Sequence, residues 1–175
     1  MSVPDTSRHP WPDLLGRLGQ VASAGATEDE IRQLEERLGS GLPPSYRAFL
    51  HVANGWDGGT LRASGEVGWV RDLDEYLAAM GSEDDEYAMT SASDEDYFVY
   101  GDDQDTVFYR PEYLPDMLLI GEFDDGVYLL NPHITTQEGE WEAWYFAPWL
   151  PGAQRFRSFW DLMQDEFGRF ERYHS

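Results

Sequence analysis

The chain contains no cysteine and no lysine. Without cysteine there are no disulfides, no thiolate nucleophiles and no cysteine-bound metals. Cytoplasmic residence is the natural reading, although an exported protein free of cysteine would look the same. No apolar run reaches the ~18 residues a membrane span needs. The start, MSVPDTSRHPW, lacks the charged-then-apolar order of a signal peptide, so export by that route is not indicated. The four histidines, His9, His51, His133 and His174, form neither a His-Glu-x-x-His nor a His-x-His pattern. A Gly-x-Ser-x-Gly elbow, a P-loop and a dinucleotide-binding glycine pattern are also missing. The glycines sit at apparent caps and turns, where structural use is the default.

What the chain has in excess is acid. There are 34 Asp and Glu against 12 bases, all of them Arg, for a net charge of −22. The excess is uneven. Residues 1–71 are nearly balanced at −2, residues 110–175 carry −7, and residues 72–109 hold 13 acids and no base. Spread evenly over a domain of this size, the charges would stand roughly 20 Å apart, beyond the ~8 Å screening length of physiological salt. Clustered, they fall within it and make a local negative field able to steer a basic partner. Nucleic acid and anionic membrane are poor partners for such a surface. The candidate partner-binding residues are Asp84, Asp85, Glu86, Asp94, Glu95, Asp96, Asp102, Asp103 and Asp105. Among them, Asp94-Glu95-Asp96 and Asp102 to Asp105 are oxygen-rich, but they lack the ligand spacing of a calcium loop, so no metal and no cofactor is expected. Glu140 and Glu142 would share a strand face with Trp144 and read as a half-exposed strand rather than catalytic carboxylates.

With 175 residues, 41% hydrophobic and 15% aromatic, the composition fits one domain with a sizeable core. Residues 1–10 read as a loose tail and Pro12 to Leu18 as a short helix. Thr27 to Leu38 carries a capping box, Thr27 with Glu30, then Ile31, Leu34 and Leu38 at helical spacing and Gly39 as the stop. Pro43-Pro44 opens a second helix whose inner face is Tyr46, Phe49, Leu50 and Ala53, with Gly55 ending it. Leu61–Arg62 and Glu66–Arg71 read as strands, and Leu73–Met80 as a helix capped by Asp72. Within the acidic insertion, 82–105, Tyr97 to Tyr100 reads as a strand between acidic loops, with core or partner-facing roles equally open to its rings. Strands follow at 117–121, 126–130 and 140–147. Asp124-Asp125-Gly126 is a hairpin turn in which Gly126 takes positive φ. Pro148 to Gly152 is a rigid turn. A last helix from Ser158 buries Phe159, Leu162, Met163, Phe167 and Phe170.

The ordered set of these motifs resembles the SUKH superfamily. Its carriers are the two capped helices closed by Asn54-Gly55-Trp56, the paired strands Leu118 to Gly121 and Gly126 to Pro132, the strand Gly139 to Trp144, and the closing helix Ser158 to Met163. The superfamily includes the Smi/Knr-type regulators of fungal cell-wall assembly and many bacterial immunity proteins. The acidic insertion departs from the short variable segment the family has there, so nothing functional carries over onto it. The expected fold is α+β: one domain spanning 1–175, with a twisted, mainly antiparallel sheet flanked by N-terminal helices and a C-terminal helix. The resemblance implies a non-enzymatic immunity protein that binds a cognate toxin directly. The acidity fits a basic, nucleic-acid-targeting toxin domain. A regulatory scaffold and a small carboxylate-dependent or calcium-linked enzyme are the alternatives.

Overall fold

The computed structural model describes residues 24–55, 60–80, 92–147, 150 and 152–165. Helix α1, Glu28–Leu38, begins on the capping box: the Glu30 amide donates to Thr27 Oγ1 at 3.1 Å, and the Thr27 amide donates to Glu30 Oε1 at 3.1 Å. Gly39 closes it at φ 72°, a left-handed conformation that only glycine adopts without steric cost. Helix α2, Pro44–Val52, has Pro44 in its first turn. It ends on Ala53, so Gly55, at φ 96°, lies in the turn beyond the helix rather than terminating it.

Five strands form one antiparallel sheet in the order β1 to β5: Gly68–Trp69, Leu118–Phe123, Gly126–Thr135, Trp141–Phe146 and Ala153–Phe156. The hairpin between β2 and β3 departs from expectation. Asp124 and Asp125 take the positive φ, at 53° and 65°, and Gly126 is already in the strand. Glycine is needed there for space, because a Cβ would stand 2.7 Å from the Tyr145 ring. Strand β5 was not expected from the sequence at all; it pairs with β4 from Ala143↔Phe156 to Phe146↔Ala153.

Both faces of the sheet are covered. On one, α1, α2 and the closing helix bury Ile31, Leu34, Tyr46 and Phe49 against Leu118, Leu130, Ala143 and Tyr145. Phe159 of the closing helix meets Tyr46 and Phe49 edge-on, with ring centroids 5.0 and 5.4 Å away. This helix is described over 159–165; the expected burial of Phe159, Leu162 and Met163 holds, while Phe167 and Phe170 lie outside the described residues. On the other face, Leu119, Leu129, Trp144 and Ala153 pack under Val70, Leu77, Tyr97, Tyr109, Leu114 and Met117. The second layer is therefore built largely from the segment between β1 and β2, which contains the acidic insertion.

That segment differs from the sequence reading in three places. Only Leu61 of the first expected strand pairs, in a single bridge to Gly121, and the second shrinks to Gly68–Trp69 between a turn of 3₁₀ helix at Ser64–Glu66 and helix α3, Val70–Leu73. The expected helix 73–80 is α4, Glu75–Ala79, and its cap is Asp74, which accepts the Leu77 amide at 3.0 Å, instead of Asp72. The Tyr97 to Tyr100 strand does not form. Ser93 caps helix α5, Asp94–Tyr97, and Phe98 closes it, so the local capping signal overrides the β propensity of the aromatics. The expected tail 1–10, the helix at 12–18, and Trp56 with the Asp57–Gly59 turn lie outside the described residues.

Candidate functional site

The sheet face under the acidic segment carries a polar centre inside its apolar core. Strand register aligns Asn131 with Glu142, Leu129 with Trp144, and Trp144 with Arg155, so Asn131, Glu142, Trp144 and Arg155 share that face. Glu142 is 1% exposed. Its carboxylate accepts Trp144 Nε1 at 2.6 Å, Asn131 Nδ2 at 3.3 Å, and the hydroxyls of Tyr97 and Tyr100. Four donors stand in for the water it has lost, as a buried charge requires. Burial first, and then the Glu142 charge, raise both tyrosine hydroxyls well above the ordinary range.

Arg155 is also 1% exposed. Its guanidinium lies over the Tyr97 ring, 4.2 Å from the centroid, and donates through Nη1 to the Tyr97 carbonyl. The two buried charges thus hold the same aromatic residue, the carboxylate at the hydroxyl and the cation at the ring face. Gln104 extends the attachment: its Nε2 donates to the Arg155 carbonyl at 3.0 Å and its Oε1 accepts the Arg155 amide at 2.8 Å. A side-chain amide here takes the place of one more peptide on the edge of β5. The Ala153 amide then donates to the Thr106 carbonyl at 3.0 Å.

At the other end of α5, Arg110 is the staple. It lies over the Tyr97 ring at 4.4 Å, donates to the Ala92 carbonyl at 3.0 Å and Tyr113 Oη at 3.1 Å, and pairs with Asp94. Burial disfavours its charge, but the bonds to Asp94 and Tyr113 win and raise its pKa. Described residues 92–109 are thereby clamped to the sheet at Tyr97, Tyr100, Gln104 and Thr106.

The expected partner residues fall into three groups. Asp84, Asp85 and Glu86 lie outside the described residues. Asp94, Asp96 and Asp105 are exposed but have internal duties: Asp94 pairs with Arg110, Asp96 accepts the Ser93 hydroxyl at 3.1 Å, and Asp105 Oδ1 accepts the Val107 amide at 3.1 Å. Glu95, Asp102 and Asp103 are exposed on the outside of the clamp, the last two in a 3₁₀ turn, Gly101–Asp103.

The half-exposed strand expected at Glu140 and Glu142 is not found. Both are buried, and they serve opposite layers. Glu140 accepts the Ser45 amide at 3.1 Å and its hydroxyl at 2.9 Å, at the start of α2, where Pro43 offers no side-chain cap. A carboxylate 95 residues away thus supplies the missing cap and meets the positive end of the helix dipole. The roles of Glu142 and Arg155 were missed in the sequence. The available signal was the run Trp-Glu-Ala-Trp-Tyr-Phe, where period-2 alternation puts the acid on the same side as a core tryptophan.

The chemistry open to this centre is attachment. Glu142 is engaged on both oxygens by donors that hold it still. Among the described residues, no group of three or more His, Asp or Glu side chains is placed to hold a metal ion. His51 pairs with Glu28 at 2.9 Å and His133 with Asp116 at 2.8 Å, in separate parts of the fold. Among the described residues, no helix is long and apolar enough to cross a membrane. The model of the SMI1 / KNR4 family (SUKH-1) matches residues 25–170, which is most of the chain. No curated protein is similar enough to count as a relative.

Proposed function

Because the chain belongs to the SMI1 / KNR4 family (SUKH-1), we propose that it is a protein-binding module without catalysis: a cytoplasmic bacterial immunity protein that neutralises a basic, nucleic-acid-targeting toxin by direct contact. One observation carries this reading. The described part of the acidic segment is a platform pinned to the sheet through Glu142, Arg155 and Arg110, with Glu95, Asp102 and Asp103 on its outside. Charges on a fixed platform are ordered before the partner arrives, so less entropy is lost on binding. Thirteen acids without a base between residues 72 and 109 repel one another, and a basic partner relieves that repulsion. On the toxin, these carboxylates would cover the surface that otherwise meets phosphate.

The test is genetic and biochemical. A polymorphic-toxin domain encoded beside this gene is expressed with and without the protein. The reading expects protection of the cell and a purified complex that dissociates faster as salt rises. A neighbouring toxin that neither binds nor is neutralised contradicts immunity and favours the regulatory scaffold.

A further inference from the structure

Arginines hold the aromatic rings of the clamped segment. Arg155 and Arg110 both lie on the Tyr97 ring, and Arg157 lies 5.1 Å from the Tyr100 centroid. Arg110 also reaches the Phe98 ring, at 5.4 Å, and Tyr97 meets Phe98 edge-on with centroids 5.1 Å apart. These contacts fix Phe98 without covering it. Tyr97 is fully buried, whereas Phe98 remains 44% exposed. A large aromatic held still at the surface can bury area on a partner at little cost in side-chain entropy. The acids beside it are not equivalent. Asp94 pairs with Arg110 and Asp96 accepts the Ser93 hydroxyl, but Glu95, also exposed, has no hydrogen bond or ion pair among the described residues. The Phe98 amide donates to the Asp94 carbonyl at 3.1 Å, so the helical turn of α5 runs on to Phe98. Glu95 stands three residues before Phe98, a spacing that makes two positions neighbours on a helix surface. An open ring and an open carboxylate therefore lie side by side.

We infer that Phe98 and Glu95 anchor the partner by taking an arginine side chain from a basic protein, in preference to a lysine. The surrounding segment, 72–109, has 13 acids and no base, so a cation is the favoured occupant. A guanidinium serves both groups at once. It is planar and weakly hydrated, so it stacks on a ring, and its fork of N–H donors fits a carboxylate. An ammonium is compact and strongly hydrated and gains less from the ring. The protein itself uses arginine in this way, with Arg110 joining the Tyr97 ring to the Asp94 carboxylate. The inference rests on the reading of the acidic segment as the surface for a basic partner, and adds to it an aromatic anchor and a choice between the two cations. The anchor and the surrounding acids act on different rates. Steering by charge sets association, while a stacked contact is lost on dissociation.

The probes are nona-arginine and nona-lysine peptides, whose binding to the full chain is followed by surface plasmon resonance. Wild type is compared with Phe98→Leu, Phe98→Trp and Glu95→Gln, each after a melt confirms the fold. Wild type should hold nona-arginine more tightly than nona-lysine. Phe98→Leu keeps an apolar side chain but loses the π face. It should release nona-arginine about two- to fivefold faster, the effect of an exposed cation–π contact, with association unchanged and nona-lysine affected less. Phe98→Trp should retain the slow release. Glu95→Gln should weaken nona-arginine several-fold, and it decides the matter if Phe98→Leu does not fold. Unchanged release from Phe98→Leu, an equal change for both peptides, or unchanged nona-arginine affinity in Glu95→Gln overturns the anchor and leaves the acidic surface standing. Failure of both peptides to bind wild type contradicts the acidic surface itself, and the anchor with it.

Discussion

Tyr97 donates its hydroxyl to Glu142 across 45 residues of sequence, and this bond ties the acidic segment to the central sheet. Removing the acceptor strands several donors at once. In Glu142→Ala the Tyr97 hydroxyl, Trp144 Nε1 and Asn131 Nδ2 all lose their partner in a buried setting. Each unpaired buried group costs about 1–3 kcal/mol, so the three together predict a loss of at least about 3 kcal/mol out of a total near 5–15. Tyr97→Phe removes one donor and should cost about 1–2 kcal/mol. Urea unfolding of both variants measures this, and an unchanged midpoint for Glu142→Ala contradicts the anchoring role.

The Glu140 cap of α2 makes a second stability test. Glu140→Ala leaves the Ser45 amide and hydroxyl without their acceptor and the helix start without its counter-charge. A loss of about 1–2 kcal/mol is expected, typical of a helix cap. Glu140→Gln, which keeps an acceptor, should lose less. Equal losses would mean that the hydrogen bond does not matter.

Alkaline pH should loosen the clamp. The folded chain holds the Tyr97 and Tyr100 protons well above the ordinary tyrosine value, because burial and then the Glu142 charge disfavour phenolate. The unfolded chain releases them near pH ~10. Above that pH the folded state binds more protons than the unfolded one, so stability is complete below about pH 10 and falls as pH rises beyond it. Melting temperatures measured at fixed ionic strength should show this decline, with a shallower slope in Tyr100→Phe. Identical slopes would show that Tyr100 does not contribute.

Salt should stabilise the free protein between low and physiological concentration. The acids of 72–109 contain no base, and screening relieves their mutual repulsion. Arg110 with Asp94 works in the opposite direction, but its carboxylate is 84% exposed, and such pairs contribute ~0–1 kcal/mol. A melting temperature that falls steadily with added salt would assign the acids to ion pairs instead.

The sequence revealed most where signals are local. Thr27 with Glu30, Pro44 and Gly39 placed the two helices because caps and stops act within a few residues. The hairpin strands were legible from apolar runs around Asp124-Asp125. It revealed least where partners are distant. Strand β5 is a four-residue edge containing Arg155, and its pairing with β4 and Gln104 leaves no local trace. The Tyr97 to Tyr100 run had strand-like composition, yet Ser93 started a helix and Glu142, far along the chain, fixed it. Acid density picked out the segment but could not separate Asp94, occupied by Arg110, from Glu95, which faces outward.

That separation decides how the acidic platform is tested. Reversing Asp94 would break the Arg110 staple and confuse folding with binding, so Glu95, Asp102 and Asp103 are reversed together to Arg. Association rates with the proposed basic partner are then measured for wild type and variant across a salt series, after a melt confirms the fold. Electrostatic steering contributes ~10–10³ in on-rate, so the variant should associate at least about tenfold more slowly at low salt, and the gap should close as salt rises. Equal rates at low salt would contradict the account and move attention to Trp56 and the turn from Asn54 to Gly59.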